Sequence, residues 1–475
     1  MHWYERIPAV TAAGLLLGVP TIVDLPDVSA AAADTCKGRE ATIEGTGGDD
    51  DLVGTPDDDV IRAYAGDDVI DGRGGDDVIC GDSGADELTG GEGDDVLYGG
   101  PYKLYSADGD NAATGDVLIG GSGDDRIVGG GTSSNEAVNV SPANLTPDRV
   151  EFPEAHGGVT MTDEGVVTGP GIGRDVVTGV AHIVGTDWAD DITVRGRAIV
   201  SGGDGPDRIR VVGGGRDLNL TPTLEGDAGR DRLDLSRSGV AGYWLYGGAG
   251  DDVLIGSEQG DNIGDQDGAG TADGRGGDDQ LDVTSRMSVS GGSGDDTMHV
   301  ALETGPRQPL GGGAGRDHAE LQNRTAAPLS IDVPSGLVRV DGKESGLAGI
   351  ESFGASARAA DVRFVGGASD EKFGVVTSRE HTVRAWMGGG DDYFAAYAAI
   401  DTDDQGTATA WGGPGNDVFD GAESGDSMFG EAGNDRMYGD TGDDVLRGGP
   451  GTDRAYGSRG EPDSCRAEVE QSCED

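Results

Sequence analysis

Lysine is nearly missing from this chain: it makes up 4 of 475 residues, within 34 basic against 89 acidic side chains and a formal charge of −55. Nucleic acid, which binds proteins through basic patches, is repelled by such a surface. Aromatic residues make up 5% and hydrophobic residues 35%, too little for a conventional globular core and close to the composition of disordered acidic chains. Catalytic signatures are wanting too. There is no His-Glu-x-x-His of a zinc protease, no Gly-x-Ser-x-Gly of a lipase elbow and no phosphate loop. Glycine doublets create Gly-x-Gly-x-x-Gly matches, but none lies between a strand and a long helix. The six histidines are scattered, and the chain is read as a non-enzyme.

What the chain has is glycine and aspartate in phase. From Gly45 to Tyr98 a period of nine brings back Asp50, Asp59, Asp68, Asp77, Asp86 and Asp95, with an aliphatic two places after each: Leu52, Ile61, Ile70, Ile79, Leu88 and Leu97. The frame returns at Asp116 and Asp125, then at Asp190, Asp207, Asp231, Asp252, Asp261, Asp279, Asp296 and Asp317. A second tandem run closes the chain. Gly412, Gly421, Gly430, Gly439 and Gly448 open its nonapeptides, which carry Asp417, Asp426, Asp435, Asp444 and Asp453.

Each nonapeptide reads as a tight turn followed by a short strand. Glycine takes up the left-handed conformations a tight turn needs. Side chains alternate along the strand, so the aliphatic faces inward while its neighbours face water. One such residue per nonapeptide is too thin a core by itself. Calcium takes six to eight oxygen ligands from carboxylates and carbonyls, and this composition supplies both.

The cleanest copy, Gly90-Gly91-Glu92-Gly93-Asp94-Asp95-Val96-Leu97-Tyr98, resembles the repeat of the RTX, or haemolysin-type calcium-binding, family. The resemblance implies an all-β fold, a parallel β-roll or β-helix solenoid in which two nonapeptides form one coil and calcium lies between stacked turns. Asp50 would then face Asp68, and Asp59 would face Asp77. It casts the aspartates of both tandem runs, together with Asp116, Asp125, Asp207, Asp231, Asp252, Asp261, Asp279 and Asp296, as ligands to multiple calcium ions. Stacked strands lie about 4.8 Å apart, where two unit charges repel by roughly 3 kcal/mol at an effective dielectric of 20. Residues 45–98 carry 17 acidic and 2 basic side chains, so folding is expected to depend on the metal. The family's usual C-terminal export signal and its enzyme or pore-forming domain have no counterpart here, so toxicity and lysis do not follow.

Arg6, the apolar stretch Ala9 to Val19 and the small residues Ser29 to Ala33 read as a secretory signal over 1–33, the apolar part being short of the roughly 20 residues that span a bilayer. The remainder divides into an N-terminal roll at 34–130, degenerate solenoid at 131–184, irregular repeats at 185–320, degenerate solenoid at 321–411, a C-terminal roll at 412–460 and a cysteine-bearing tail at 461–475. Residues 99–112 are expected to form a loop thrown out from one coil. The degenerate parts read as coils that have exchanged calcium for apolar packing. Spacings of 24, 21 and 17 residues among Asp207, Asp231, Asp252, Asp279 and Asp296 suit a solenoid with variable loops.

Four cysteines suit an exported protein. Pairing Cys36 with Cys80 and Cys465 with Cys473 would pin both ends of the solenoid, although four cysteines allow three connectivities. A zinc site is the alternative, but no Cys-x-x-Cys occurs. The stretches at Asp265 and Asp401 resemble the first half of an EF-hand loop but carry Gly276 and Gly412 at position twelve, where the bidentate glutamate belongs; they read as acidic turns.

Three functions stay open. The first is a secreted, structural or surface-associated calcium-binding protein without a membrane span in its mature form. The second is an adhesin or matrix component with a cell-surface or glycan ligand. The third is a polysaccharide-acting solenoid enzyme, whose anionic substrate would have to be met by the basic cluster Arg195, Arg197, Arg208 and Arg210.

Overall fold

In a computed structural model the chain forms a parallel β-solenoid of about 17 turns. Residues 35–101, 103–105, 112–130, 145–214, 221–303, 307–356, 360–377, 381–398, 406–457 and 463–471 are described, and there is no helix among them. The expected leader at 1–33 and the acidic loop at 401–405 fall outside them. No helix of the described residues is long and apolar enough to cross a membrane.

The coil follows from the period. Asp51–Val53 pairs in parallel with Val69–Gly74, setting Leu52 beside Ile70. Val60–Arg62 pairs with Val78–Cys80, setting Ile61 beside Ile79. Partners are 18 residues apart, so each coil is two nonapeptides and gives one strand to each of two sheets. Strand alternation decides which side chains enter: Ile70 is 1% exposed, while Val69 beside it is 48% exposed.

Stacking makes a continuous core of residues that are too few within any one nonapeptide. Ile70, Leu88, Leu118, Val150 and Ile183 follow one another down one sheet. Ile61, Ile79, Leu97, Ile127 and Val177 do so down the other. A single buried cluster continues from Ile61 to Ala455, and each buried Leu or Ile contributes about 1.5–3 kcal/mol. In the middle coils many strands bury two residues, as at Ile192 and Val194 or Leu233 and Leu235. Toward the C-terminus the row turns aromatic. Phe353, Phe364, Phe373, Phe394 and Phe419 lie at successive centroid distances of 5.6, 4.3, 6.1 and 6.5 Å.

Insertions leave the stack as hairpins. Lys103–Tyr105 and Ala112–Thr114 pair antiparallel, the excursion expected over 99–112. Two antiparallel meanders were not legible in the sequence. Thr160–Met161, Val166–Gly169 and Gly173–Thr178 form one, whose last strand rejoins the solenoid beside Arg126–Val128. Leu329–Asp332, Leu337–Val340 and Lys343–Ala348 form the other. The described parts of the segments 131–184 and 321–411 are therefore solenoid coils with hairpins added, not coils alone.

The N-terminal end is closed by a Cys36–Cys80 disulfide with both residues buried against Val78. Cys465 is disulfide-bonded too; Cys473 lies outside the described residues.

Candidate metal centre

Two residues before each inward aliphatic the chain turns a corner, and from Asp59 onward the repeat's aspartate occupies that corner with its side chain buried: Asp77 is 0% exposed. The carboxylates are stitched to one another through the backbone. The amide of Asp50 donates to Asp68 Oδ1, that of Asp68 to Asp86, that of Asp59 to Asp77 and that of Asp77 to Asp95, all at 2.8–3.0 Å. The pairs expected to face one another do so, and in each the later carboxylate reaches back to the earlier coil.

The same bond holds where the spacing changes. It joins Asp86 to Asp116 across 30 residues, Asp95 to Asp125 across 30, Asp190 to Asp207 across 17 and Asp207 to Asp231 across 24. It links Asp231 to Asp252, Asp261 to Asp279, Asp279 to Asp296 and Asp296 to Asp317. In the last coils it runs from Asp417 to Asp435, Asp435 to Asp453 and Asp426 to Asp444.

One oxygen is thereby satisfied and the other is not. Oδ2 is buried without a hydrogen-bond partner in Asp68, Asp77, Asp86, Asp95, Asp116, Asp125, Asp207, Asp231, Asp252, Asp279, Asp296, Asp417, Asp435, Asp444 and Asp453. An unpaired buried carboxylate oxygen is costly, and here the cost recurs coil after coil. Four other sequence candidates differ. In Asp50, Asp59, Asp261 and Asp426, Oδ2 accepts the amide of Thr46, Thr55, Ser257 and Ala422 respectively.

The unpaired oxygen faces a space that only glycine leaves open. A Cβ placed on Gly202 would lie 2.5 Å from Asp207 Oδ2 and 2.9 Å from the carbonyl oxygen of Gly226 in the next coil. A carboxylate and a carbonyl thus converge between coils. Among the described residues no three His, Cys, Asp or Glu side chains gather at one point that could hold a metal, so a cation in these gaps would take part of its shell from such carbonyls. Buried carboxylate oxygens and hard carbonyl donors fit calcium, and the residues present fit the group the resemblance implies.

Burial and stacked like charge act together on these acids. Asp116 is pushed up to about 8 by burial and by Asp148. Asp207 is raised to about 8 by burial, with Asp190 and Asp231 adding to it. Asp86 and Asp95 are raised to about 7, burial again dominating. Asp59 is the contrast. Burial pushes it upward, but the amide and hydroxyl of Thr55 and the hydroxyl of Thr42 leave it below the usual carboxylate value.

Several participants escaped the sequence reading. Asp148 and Asp175 continue the rows by accepting the amides of Asp116 and Asp125, and Asp392 accepts that of Glu371 and donates its own to Asp417. The segments taken to have given up their acids therefore retain some of them. The signal was present as Asp148-Arg149-Val150, Asp175-Val176-Val177 and Asp392-Tyr393-Phe394, acid and apolar residue in phase outside the regular period of nine. Asp265, read as an acidic turn, does cap its own turn, accepting the amides of Asp267 and Gly268 on Oδ1. Its Oδ2 is buried and unpaired and approaches the same point beside Gly247 as Asp252 Oδ2.

A second row runs one residue earlier and in the opposite sense. The amide of Asp76 donates to Asp58, that of Asp94 to Asp76 and that of Asp124 to Asp94. These carboxylates are exposed and reach forward to the following coil. The sequence gives no hint of this role beyond the doubled acid.

The fold and its rows of buried acid define an acidic repeat protein of the β-solenoid class. The sequence pattern described as RTX calcium-binding nonapeptide repeat (4 copies) matches residues 44–79, 81–101, 112–132, 244–263, 404–437, 411–446 and 429–461. No curated protein matches the chain. The chain carries calcium-binding repeats of the RTX family, set in a parallel β-solenoid.

Proposed function

We propose that this is a secreted structural protein whose solenoid is held shut by calcium bound between its stacked turns, with the aspartates that present a buried, unpaired Oδ2 as side-chain ligands. The observation that carries the reading is the column of buried, unpartnered carboxylate oxygens, which at Asp77, Asp95, Asp207, Asp231, Asp279 and Asp417 among others lie beside a carbonyl of the next coil. A divalent cation there would supply the missing partner and neutralise part of a formal charge of −55. Sites of this kind suit the near-millimolar calcium outside cells. The chain's own residues set the coil spacing through amide-to-carboxylate bonds, exclude water with the aliphatic rows and expose carbonyls at the turns; calcium would contribute the charge.

The decisive experiment is circular dichroism and small-angle scattering of the full chain in chelator and after return of calcium. The reading expects loss of β signal and expansion in chelator, both reversed by millimolar calcium. A chain that stays equally compact in chelator, or takes up no calcium, ends it.

A calcium-dependent adhesin is the second reading. The outer rings of Trp386, Trp411 and Phe429 favour it, stacked at 4.9 and 5.7 Å on the outside of one sheet. Retention on cell-wall or host glycans that disappears in chelator would select it over a purely structural role.

A further inference from the structure

The four aspartates whose Oδ2 is already satisfied are not scattered, and with Asp190 they make five. Asp50 accepts the amide and hydroxyl of Thr46, at 2.5 and 3.0 Å. Asp59 does the same with Thr55 at 2.7 and 2.9 Å, Asp190 with Thr186 at 2.7 and 3.2 Å, and Asp261 with Ser257 at 2.8 and 2.8 Å. Asp426 takes the Ala422 amide at 2.9 Å. In every case the donor stands four residues before the acid.

These five are the first members of five of the six buried runs of amide-linked acids; the sixth opens with Glu371, whose Oε2 stays buried and unpaired. The coil before each of the five offers no acid at the matching corner. Thr42 donates to Asp59, Val159 to Asp190, Tyr243 to Asp261 and Ala408 to Asp426, and no described coil precedes that of Asp50. The five share a turn conformation as well. None of Thr46, Thr55, Thr186, Ser257 or Ala422 has a positive φ.

Turns inside the runs are built differently at that same position, four residues before the acid. Tyr64, Arg73, Asp82, Asp227, Arg275, Glu431 and Asp440 are held at φ between 65° and 78°, and Gly121, Gly203 and Gly292 at 94° to 114°. For residues other than glycine this conformation is strained. With the donor turned away, the Oδ2 of Asp68, Asp77, Asp86, Asp125, Asp207, Asp231, Asp279, Asp296, Asp435 and Asp444 in those same turns is left unpaired.

Resting on the calcium reading above, we propose that the turns beginning at Thr46, Thr55, Thr186, Ser257 and Ala422 are calcium-free end turns that close five of these runs of ion-holding turns on their N-terminal side. A cation between coils needs donors from both, because its shell of six to eight oxygens exceeds what one turn offers. Below the first acid of these five runs the facing corner offers none. The chain therefore closes that carboxylate locally with an amide and, in four of the five turns, a hydroxyl. Except at Asp116, which is open although strand residue Ala112 stands four places before it, the residue four places before the acid separates the two kinds: threonine, serine or alanine with ordinary φ in the closed turns and a left-handed residue in the open ones. It follows that Asp50, Asp59, Asp261 and Asp426 are not ligands through Oδ2, although the nonapeptide pattern ranks them equal to their neighbours.

Calcium-titration calorimetry on the full chain and its Asp59→Asn and Asp77→Asn variants tests this, since asparagine keeps an acceptor for the preceding coil. The expected result is the native number of ions for Asp59→Asn and fewer for Asp77→Asn. The pair Asp190→Asn and Asp207→Asn repeats the comparison in another run, should the first pair fold poorly. Equal losses within a pair would overturn the assignment while leaving calcium binding intact. A native chain that takes up no calcium would instead remove the reading on which it rests.

Discussion

The buried amide of Asp77 donates to the carboxylate of Asp95, 18 residues further on, at 2.8 Å. In the exposed row beside it the direction reverses, with the amide of Asp94 donating to Asp76 at 3.0 Å. Water can replace the outer bond but not the inner one.

The two rows should therefore differ in their response to mutation. Asp77→Ala strips the Asp59 amide of its acceptor, at a cost of about 1–3 kcal/mol, and removes the proposed ligand as well. Asp76→Ala is expected to cost no more than about 0.5 kcal/mol, as for an exposed site. Thermal melts in saturating calcium would measure both, and equal shifts would contradict the division between rows.

Calcium removal should not affect all coils alike. The tandem stretches 45–98 and 412–453 rely for the most part on one inward apolar residue per strand, whereas Phe353, Phe364, Phe373 and Phe394 pack ring on ring. Local stability follows buried apolar contact. Hydrogen exchange in chelator is expected to be fast in both tandem stretches and slower across the phenylalanine coils. Uniform exchange would show that calcium alone sets coil stability.

That aromatic row can be weighed directly. Phe373 is fully buried and stacks on Phe364 at 4.3 Å, so Phe373→Ala should cost about 3–5 kcal/mol, against about 0.5–1.5 kcal/mol for Ile79→Val. Denaturant melts in calcium give both numbers. A Phe373→Ala chain as stable as the native one would mean that the rings do not carry the C-terminal coils.

Without calcium the chain should become less stable as pH rises. Folding raises Asp86 and Asp95 to about 7 and Asp116, Asp207 and Asp279 to about 8, burial being the main cause. Between the ordinary carboxylate value near 4 and about 8, the folded chain holds more protons than the unfolded one. Stability is therefore greatest below that window and is lost through it. Circular dichroism in chelator is expected to show more β signal at pH 5 than at pH 8; the reverse order would refute the burial of these acids in the folded chain.

The coil and its register were legible because the period of nine fixes both the acid and the aliphatic, and one slip would turn every inward residue outward. Ile70 and Ile79 lie where that rule puts them. Asp148 and Asp175 were missed because the insertions before them hide the period, although acid and aliphatic kept their relative places. The closed turns were missed for another reason. Thr55 and Arg73 stand at the same point of their repeats, and what separates them is backbone conformation and the neighbouring coil, neither of which a single nonapeptide displays. The meanders at 160–178 and 329–348 escaped because their valine-rich strands fit a solenoid coil equally well.

The amide-to-carboxylate bond keeps a length of 2.8–3.1 Å whether the chain between its ends has 17, 24, 30 or 50 residues. Rung height is thus independent of contour length. A loop leaving at Tyr98 and returning at Gly115 can be lengthened, shortened or exchanged for foreign sequence without disturbing the geometry above or below it. The molecule behaves as a ruler onto which side branches can be grafted at any mark.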